Sequence, residues 1–399
     1  MTMRRLVIVW GKWGPYHFAR FNALREAGSA AGWEVWGAQY SADSQLYAWK
    51  AGAGEANWVN LAAAAHESGY QPCRLARRAA HLFTLARPDV LFAPSYWPWS
   101  LHLNAQARLR GAKVVMMNES HGGTESASGL KRWLKGQIVR RFHAALVGGA
   151  PHRAHFASLG LPAERIFTGY DAVDNAAFAA NADAVRADAD TARQRLGLPR
   201  SYILSLGRMV AKKNLGCLIE AFHRFNAAQA SPTHALVLVG SGEEETALRA
   251  HCTRLDLAAR TVTGPGDPPP ASGEVGFYGF RQIEETPAFF ALADVFVLPS
   301  HYEEWGLVVN EAMACGLPVI VSNMAGCTPD LVADGINGHA FDPASPVALA
   351  EALHGVLSDG QRRSAMGAAS RERIAAWGLD TFAANAFAAA ATAMEVRRP

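Results

Sequence analysis

The chain has 399 residues, half of them apolar and 18% charged, which suits a folded enzyme of two domains with full cores and not a fibrous or disordered protein. A net charge of +3 supplies no basic stripe for nucleic acid, and no apolar run approaches the 18 or so residues of a membrane span. The five cysteines (Cys73, Cys217, Cys252, Cys315, Cys327) are scattered without a Cys-x-x-Cys pair, so they read as reduced thiols of a cytoplasmic protein and suggest no metal site.

Taken in chain order, the first half alternates apolar runs with helical patterns, as a doubly wound α/β domain does. Strands are expected at 5–9, 33–37, 90–93, 113–117, 144–147 and 165–168. The lead Met1-Thr-Met-Arg-Arg precedes only a short apolar run, too short for a signal-peptide core, so 5–9 reads as a buried first strand. That strand exits into Trp10-Gly-Lys-Trp-Gly-Pro-Tyr-His17, where Gly11 and Gly14 are the natural places for close backbone approach. Pro94-Ser-Tyr-Trp-Pro-Trp99 follows another strand end. Its aromatics, Tyr96 and Trp97 among them, either stack on a sugar or form a packed cluster.

After the strand at 113–117 comes Asn118-Glu-Ser-His121-Gly-Gly123, a histidine at a strand end followed by two glycines. The stretch from Leu130 to Phe142 then places Leu130, Trp133, Leu134 and Ile138 on one helical face, with Lys131, Arg132, Lys135, Arg140 and Arg141 on much of the rest. Such a basic amphipathic helix can lie on anionic lipid, but the favoured reading is a helix packed on its own sheet with a solvated basic edge. The Ala- and Asp-rich run 176–192 reads as a polar linker carrying a helical segment.

The second half repeats the strand–loop–helix plan. Tyr202-Ile-Leu-Ser-Leu-Gly-Arg208-Met-Val-Ala-Lys-Lys213 is a strand followed by a loop whose Arg208 and Lys213 can both point into the crevice at the strand's carboxyl end. Arginine offers a planar fork and lysine a point charge, and both suit phosphate oxygens. The bland alternative is a solvated basic loop. Leu236-Val-Leu-Val-Gly-Ser-Gly-Glu243 is the next strand with a glycine-rich exit, weak evidence by itself. The proline run inside 264–273 marks an exposed loop. Phe280 and Arg281 follow Phe277-Tyr-Gly, and Phe280 is equally plausible as core.

The most informative stretch is Pro299-Ser-His-Tyr-Glu-Glu-Trp-Gly-Leu-Val-Val-Asn-Glu-Ala-Met-Ala314. An apolar strand runs into a loop holding Glu303, Gly306 opens a helix, and Glu311 lies inside its early turns. The amides of Trp305 to Val308 then stand at a helix N-terminus, where the summed peptide dipoles favour an anion. Two carboxylates for hydroxyls with an amide cradle between them suit a sugar joined to a diphosphate.

This stretch closely resembles the Glu-x7-Glu signature of the retaining GT-B glycosyltransferases of family 4, through Glu303, Trp305, Gly306, Glu311, Ala312, Met313 and Ala314, with Trp305 standing where phenylalanine is commoner and keeping an aromatic wall at the donor site. The resemblance is strong over 200–345 and weaker over 1–180. It implies two Rossmann-like domains facing a cleft: an acceptor domain at 1–178, a linker at 179–199, a donor domain at 200–378, and a closing helix at 379–399 that crosses back to the first domain. It further implies that Glu311 holds the ribose hydroxyls and Glu303 those of the donor sugar. The amides near Gly306, Leu307 and Val308 would meet phosphates, and Arg208 and Lys213 would neutralise the leaving diphosphate. By the same resemblance Phe280 or Arg281 borders the base, Gly11 and Gly14 face donor phosphates or acceptor, and His121 contacts the donor sugar. Trp13, Tyr16 and His17, with Tyr96 and Trp97, become acceptor candidates. The expected reaction moves a sugar from a UDP- or GDP-linked donor to a glycan, a lipid-linked sugar or a small molecule with retention. It would need no cofactor and no metal, in a cytoplasmic enzyme with possible peripheral contact at the inner membrane face. An epimerase or hydrolase of the same fold, or a non-catalytic nucleotide-sugar-binding module, is the alternative.

Overall fold

A computed structural model describes residues 3–40, 57–61, 72–94, 98–124 and 129–396. The chain divides into two compact units, Met1–Val173 with Trp377–Pro399, and Asp174–Ala376. Among the described residues no helix is long and apolar enough to cross a membrane.

The first unit is built on a parallel sheet of β1 (Arg4–Trp10), β2 (Trp33–Gln39), β3 (Trp58–Asn60), β4 (Val90–Pro94), β5 (Lys113–Asn118), β6 (Ala144–Val147) and β7 (Ile166–Phe167). Its spatial order is β3-β2-β1-β4-β5-β6-β7. A parallel sheet is covered on both faces, which is why its central strands are nearly continuous runs of Val, Ile, Leu and Met. One face packs Leu91, Val114, Met116 and Val147 against Leu82, Leu103 and Phe156. The other packs Leu6, Ile8, Val115 and Leu146 against Phe382, Ala386, Ala389, Ala390 and Ala393 of the closing helix Leu379–Glu395. That helix presents mostly alanine to the strands, and small side chains permit a close approach.

The second unit repeats the plan with β8 (Tyr202–Leu206), β9 (Ala235–Val239), β10 (Ala259–Thr261), β11 (Val275–Phe277), β12 (Val295–Leu298), β13 (Val319–Ser322) and β14 (Gly338–Phe341). The order is β10-β11-β9-β8-β12-β13-β14, with parallel pairing throughout. From β8 the chain fills one side of the sheet with β9, β10 and β11, the last inserted between the other two, and resumes at β12 on the other side. The carboxyl ends of β8 and β12 therefore flank a topological switch point, where open α/β sheets bind ligands.

Two expectations are corrected. The stretch 179–199 is not a linker: helices Asn175–Ala187 and Ala189–Leu196 fill most of it, and the division between units falls after Val173. Alanine is the strongest helix former, and Asp174 caps the first helix by accepting from the Ala177 amide, so a run that looks polar and simple is ordered. Phe178, Ala182, Ala192 and Leu196 are buried along it. The helix Leu130–Val139, in turn, packs through Gly136 and Val139 and leaves Leu130, Trp133 and Leu134 exposed.

Candidate active site

In the second unit, β8 ends at a loop that only glycine permits. A Cβ on Gly240 would stand 1.8 Å from the carbonyl oxygen of Gly207, and one on Gly242 would stand 2.2 Å from that of Met209. Backbone bonds lock the two loops together, from Gly207 N to Val239 O (2.9 Å), Met209 N to Ser241 O (2.9 Å) and Glu244 N to Met209 O (3.0 Å). The Gly-Ser-Gly run is thus a packing requirement that fixes Arg208.

The loop after β8 closes with a short 3₁₀ turn, Ala211–Lys213, ended by Asn214 in the left-handed region at φ 53°. Asn214 Nδ2 donates to the carbonyl oxygens of Pro299 (3.1 Å) and Pro343 (2.9 Å), and His301 N donates to Lys212 O (2.8 Å). These bonds stitch the β8 loop to the β12 loop and bring two lysines onto one carboxylate. Lys213 Nζ bonds Glu303 Oε2, while Lys212 Nζ lies 3.1 Å from Glu303 Oε1 and 2.8 Å from Glu304 Oε2. Ser300 Oγ adds a donor 3.3 Å from Glu303 Oε2.

Glu303 is only 8% exposed. Burial pushes its pKa upward, but the ammonium groups of Lys213 and Lys212 outweigh that and hold it below the ordinary carboxylate range. Burial likewise lowers the Lys212 pKa, and Glu303 and Glu304 more than offset it, so the net shift is upward. Both shifts favour the charged forms of Glu303 and Lys212 at neutral pH. Gly207, Arg208, Lys213, Leu215, Val239 and Pro299 line a pocket of about 260 Å³, counting space open to solvent. Arg208 and Lys213 share that pocket, with Glu303 directly on Lys213.

Gly306 precedes the helix Leu307–Ala314 with φ 102°, and a Cβ there would stand 2.9 Å from Leu298 Cδ2, so both conformation and space demand glycine. Leu307 and Val308, half-buried, form the first turn, whose amides have no partner within a helix. Glu311 is buried five residues into the helix sequence. Trp305 does not form an open aromatic wall. It is 1% exposed, and its Nε1 donates to Asn310 Oδ1 at 2.9 Å, because a flat indole with one donor fits a core slot with one acceptor.

Phe280 is 41% exposed and follows Gly279, whose carbonyl accepts from Gly240 N at 2.8 Å, so it stands beside the glycine loop. Arg281 is engaged within its own unit: Nη2 donates to Thr263 O at 3.1 Å, Nη1 lies 3.8 Å from Glu285, and the guanidinium sits over Phe289. That commitment leaves Phe280 the better placed of the two for a base.

In the first unit, His121 follows β5 and is buried, with Nδ1 accepting from Gly123 N at 3.2 Å and its ring edge on His152. A Cβ on Gly11 would meet nothing within 4 Å, whereas Gly14 starts the helix Pro15–Ala31 and donates its N–H to His17 Nδ1 at 3.0 Å. Trp13 is core rather than an acceptor contact: it is buried against Trp10, Phe18 and Phe21, with Nε1 on Ala38 O at 3.0 Å. His17 packs on Trp10, and burial, then Arg20, lower its pKa to about 3, so it is neutral. Tyr16 is half-buried on the same helix. Tyr96 and Trp97 lie outside the described residues.

Sequence reasoning missed two features. Lys212 carried no motif weight, and its role appears only when the chain returns 91 residues later with Glu303. The other is a buried group in the first unit, in which Arg20 Nη2 lies 3.6 Å from Asp171 Oδ1 and Arg20 Nε donates to Ala172 O at 2.9 Å. Burial, then the charge of Glu119, raises the Asp171 pKa well above the usual carboxylate range, with Arg20 opposing. Nothing in the spacing of Arg20, Glu119 and Asp171 announced that meeting.

The comparisons with known proteins agree with this geometry. Residues 200–359 match the family described as glycosyl transferases group 1. A GDP-mannose-dependent alpha-(1-6)-phosphatidylinositol monomannoside mannosyltransferase of Mycobacterium tuberculosis is 32% identical over 322 residues, 76% of this chain and 73% of the relative. The protein of the same name from Mycolicibacterium smegmatis is 32% identical over 238 residues, and there the match spans 58% of this chain and little more than half (56%) of the relative. A sucrose-phosphate synthase from Thermosynechococcus elongatus superposes with a TM-score of 0.72 at 20% identity, over 96% of this chain and 98% of that one, which establishes the GT-B fold. With a mycobacterial relative aligned over about three quarters of both chains, and the family's pattern lying on the loops after β8 and β12, the protein belongs to glycosyl transferases group 1.

Proposed function

We propose that the protein is a retaining glycosyltransferase that moves a sugar from a nucleoside diphosphate donor to a carbohydrate or lipid-linked acceptor. The observation that carries this reading is that Arg208 and Lys213 line one pocket at the switch point of the second sheet, with an ionised Glu303 bonded to Lys213. Arg208 and Lys213 take the diphosphate, with the first-turn amides of the helix Leu307–Ala314 beside them. Glu311 takes the ribose, Glu303 the donor sugar, and Phe280 packs on the base. His121 is the first unit's candidate for the sugar. As the anomeric bond breaks, charge grows on the diphosphate, and preorganised cations lower the barrier by meeting it there. The acceptor hydroxyl oxygen bonds to the anomeric carbon from the face the diphosphate leaves and gives its proton to a diphosphate oxygen, so configuration is retained. Arg208, Lys213 and the helix amides supply the neutralisation a divalent metal would otherwise give, and the reaction is proposed to need none.

Lys213 cannot serve Glu303 and the diphosphate fully at once. Donor binding therefore draws Lys213 toward phosphate, and Lys212 remains as the counter-ion of Glu303. The names of the mycobacterial relatives put GDP-mannose first among donors to try and a lipid-linked sugar first among acceptors. The same reading places the enzyme in the cytoplasm, working against the inner face of a membrane.

The test is thermal stabilisation by GDP and by UDP. A nucleotide at about 100 times its dissociation constant stabilises the fold by roughly 2.7 kcal/mol, and one of the two is expected to do so. Glu311→Ala abolishes the shift. Melting unchanged by either nucleotide sinks the donor-site assignment.

A further inference from the structure

The buried group around Arg20 and Asp171 lies at the carboxyl edge of the first sheet, beside the loop that carries His121. Asp171 follows β7 and is 1% exposed. Gly169 N donates to Gly148 O at 2.9 Å and Tyr170 N to Val147 O at 3.1 Å, which lays this segment against the end of β6. Gly148 makes the room: a Cβ there would stand 3.0 Å from Asp171 Oδ2 and 2.8 Å from His152 Cε1. His152, on the helix Ala150–Ser158, is buried and accepts from Gly149 N at 3.0 Å. Its ring meets that of His121 edge-on, with centroids 5.1 Å apart. From the end of β5, half-buried Glu119 joins the group through a side-chain hydrogen bond to Asp171.

Ionised carboxylates only accept, so a hydrogen bond between two carboxyl groups requires a proton. The charges agree. The cation against the pair is Arg20, itself buried, and one cation does not balance two neighbouring anions. Asp171 is the deeper of the two and keeps the proton. Its other neighbours do not take it. Tyr170, whose hydroxyl accepts from Trp10 Nε1 at 2.8 Å, is held neutral by burial and then by the charge of Glu119. His17 is neutral, and the closing helix brings the uncharged Asn385 and Thr381 beside Gly169.

The loop after β5 is organised around His121. Ser120 N donates to Asn118 Oδ1 at 2.6 Å, His121 N to Thr124 Oγ1 at 3.1 Å and Gly123 N to His121 Nδ1 at 3.2 Å. With Nδ1 accepting, the ring proton is on Nε2, the nitrogen then able to donate to a sugar oxygen. Two side-chain contacts fasten this loop to the end of β6: Glu119 on Asp171, and His121 on His152. We infer that Glu119 and Asp171 are positioning residues for His121, sharing one proton that Asp171 donates to Glu119, and that this bond holds the loop so that His121 presents Nε2–H. The proposal rests on the preceding reading of His121 as a contact of the sugar.

The experiment takes the full chain labelled with ¹⁵N-histidine, with infrared spectra of the same samples from pH 6 to 10. A protonated-carboxyl band is expected at pH 7, and Asp171→Asn removes it. The His121 signals, assigned by their disappearance in His121→Gln, show the Nε2–H tautomer in the parent and in Asp171→Asn, whose amide still donates to Glu119. Asp171→Leu has no donor and loses that single pattern. Because the Asp171 pKa is raised, its proton is held as pH climbs past the ordinary carboxylate range and is lost in alkali. In the parent the band and the His121 pattern therefore fade together as pH rises, while Asp171→Asn keeps the pattern throughout. No band at pH 7 overturns the shared proton, and an unchanged His121 pattern in Asp171→Leu overturns the positioning. If Asp171→Leu does not fold, the parent gives the same comparison, and a band that fades while the His121 pattern stays refutes the coupling. Asp171→Asn and His121→Gln keep the melting shift with GDP or UDP. A parent without that shift would strike the donor-site reading and leave this test standing.

Discussion

Replacing Lys212 with methionine should raise the pKa of Glu303 and carry the acid limit of the protein with it. Lys212 Nζ lies 3.1 Å from Glu303 Oε1, with side-chain exposures of 19% and 10%. At that distance and an effective dielectric constant near 20, the raw attraction is about 5 kcal/mol. Methionine removes the attraction but also the cost of keeping a second ammonium partly dry, and Lys213 remains. A net loss of about 1–3 kcal/mol is therefore expected, equivalent to a rise of roughly one to two pH units for Glu303. The sign follows from the depressed folded pKa: the stability it contributes is present above the unfolded carboxylate pKa and is lost as pH falls through the folded one. In Lys212→Met that loss begins at higher pH. The deficit is full at pH 7 and shrinks in acid, where both proteins carry a protonated Glu303. Melting curves from pH 3.5 to 8 measure it, and Lys212→Arg should restore the parent profile. The acid limb of the sugar-transfer rate should move up by the same interval, whereas Lys213→Met should chiefly lose nucleotide affinity. A Lys212→Met deficit independent of pH, or an unmoved acid limb, would show that Lys212 does not govern Glu303.

Gly240→Ala meets both a φ of 133° and the Gly207 carbonyl oxygen 1.8 Å from the new Cβ, so a loss of about 2–4 kcal/mol is expected, read as a lower urea midpoint at unchanged slope. EDTA should leave sugar transfer unchanged. A loss of turnover restored by Mg²⁺ or Mn²⁺ would show that Arg208 and Lys213 do not suffice for the diphosphate.

The central strands were legible because parallel strands covered on both faces are nearly continuous apolar runs, as in Val295–Leu298 and in Val319–Ser322 up to its last residue. The short outer strands Trp58–Asn60, Ala259–Thr261 and Gly338–Phe341 escaped, since three or four half-exposed residues leave no pattern that a loop could not also show. The helices of 175–196 were read as a polar linker carrying a helical segment because alanine carries little hydrophobic signal while being the best helix former. Periodicity found the face of Leu130, Trp133 and Leu134 but not its direction, which is set by Gly136 fitting closely against Leu159. In the site, the spacing of Glu303, Gly306 and Glu311 was readable because one loop and one helix carry all three. Trp13 and Trp305 were misread for one reason: an aromatic residue near a binding loop looks the same in sequence whether it faces a ligand or the core.

On the proposed reading, the second lysine lets the site bind a diphosphate without destabilising itself. A buried carboxylate deprived of its only cation costs several kcal/mol, typically about 3–5 when one partner of a buried pair is removed. With Lys213 alone, every donor that drew it toward phosphate would impose that cost on Glu303 and weaken its own binding. Lys212 is held out of the pocket lining by Glu304 and by the bond from His301 N to its carbonyl. On that reading it stays on Glu303 while Lys213 moves, and the carboxylate remains ionised and oriented for the donor sugar's hydroxyls. Glu304 is 41% exposed and matters less for its own charge than for keeping Lys212 in place. Glu304→Gln should thus weaken donor turnover mildly at neutral pH and more strongly in acid, in parallel with Lys212→Met and never exceeding it. A Glu304 variant more impaired than Lys212→Met would mean that Glu304 meets the substrate itself.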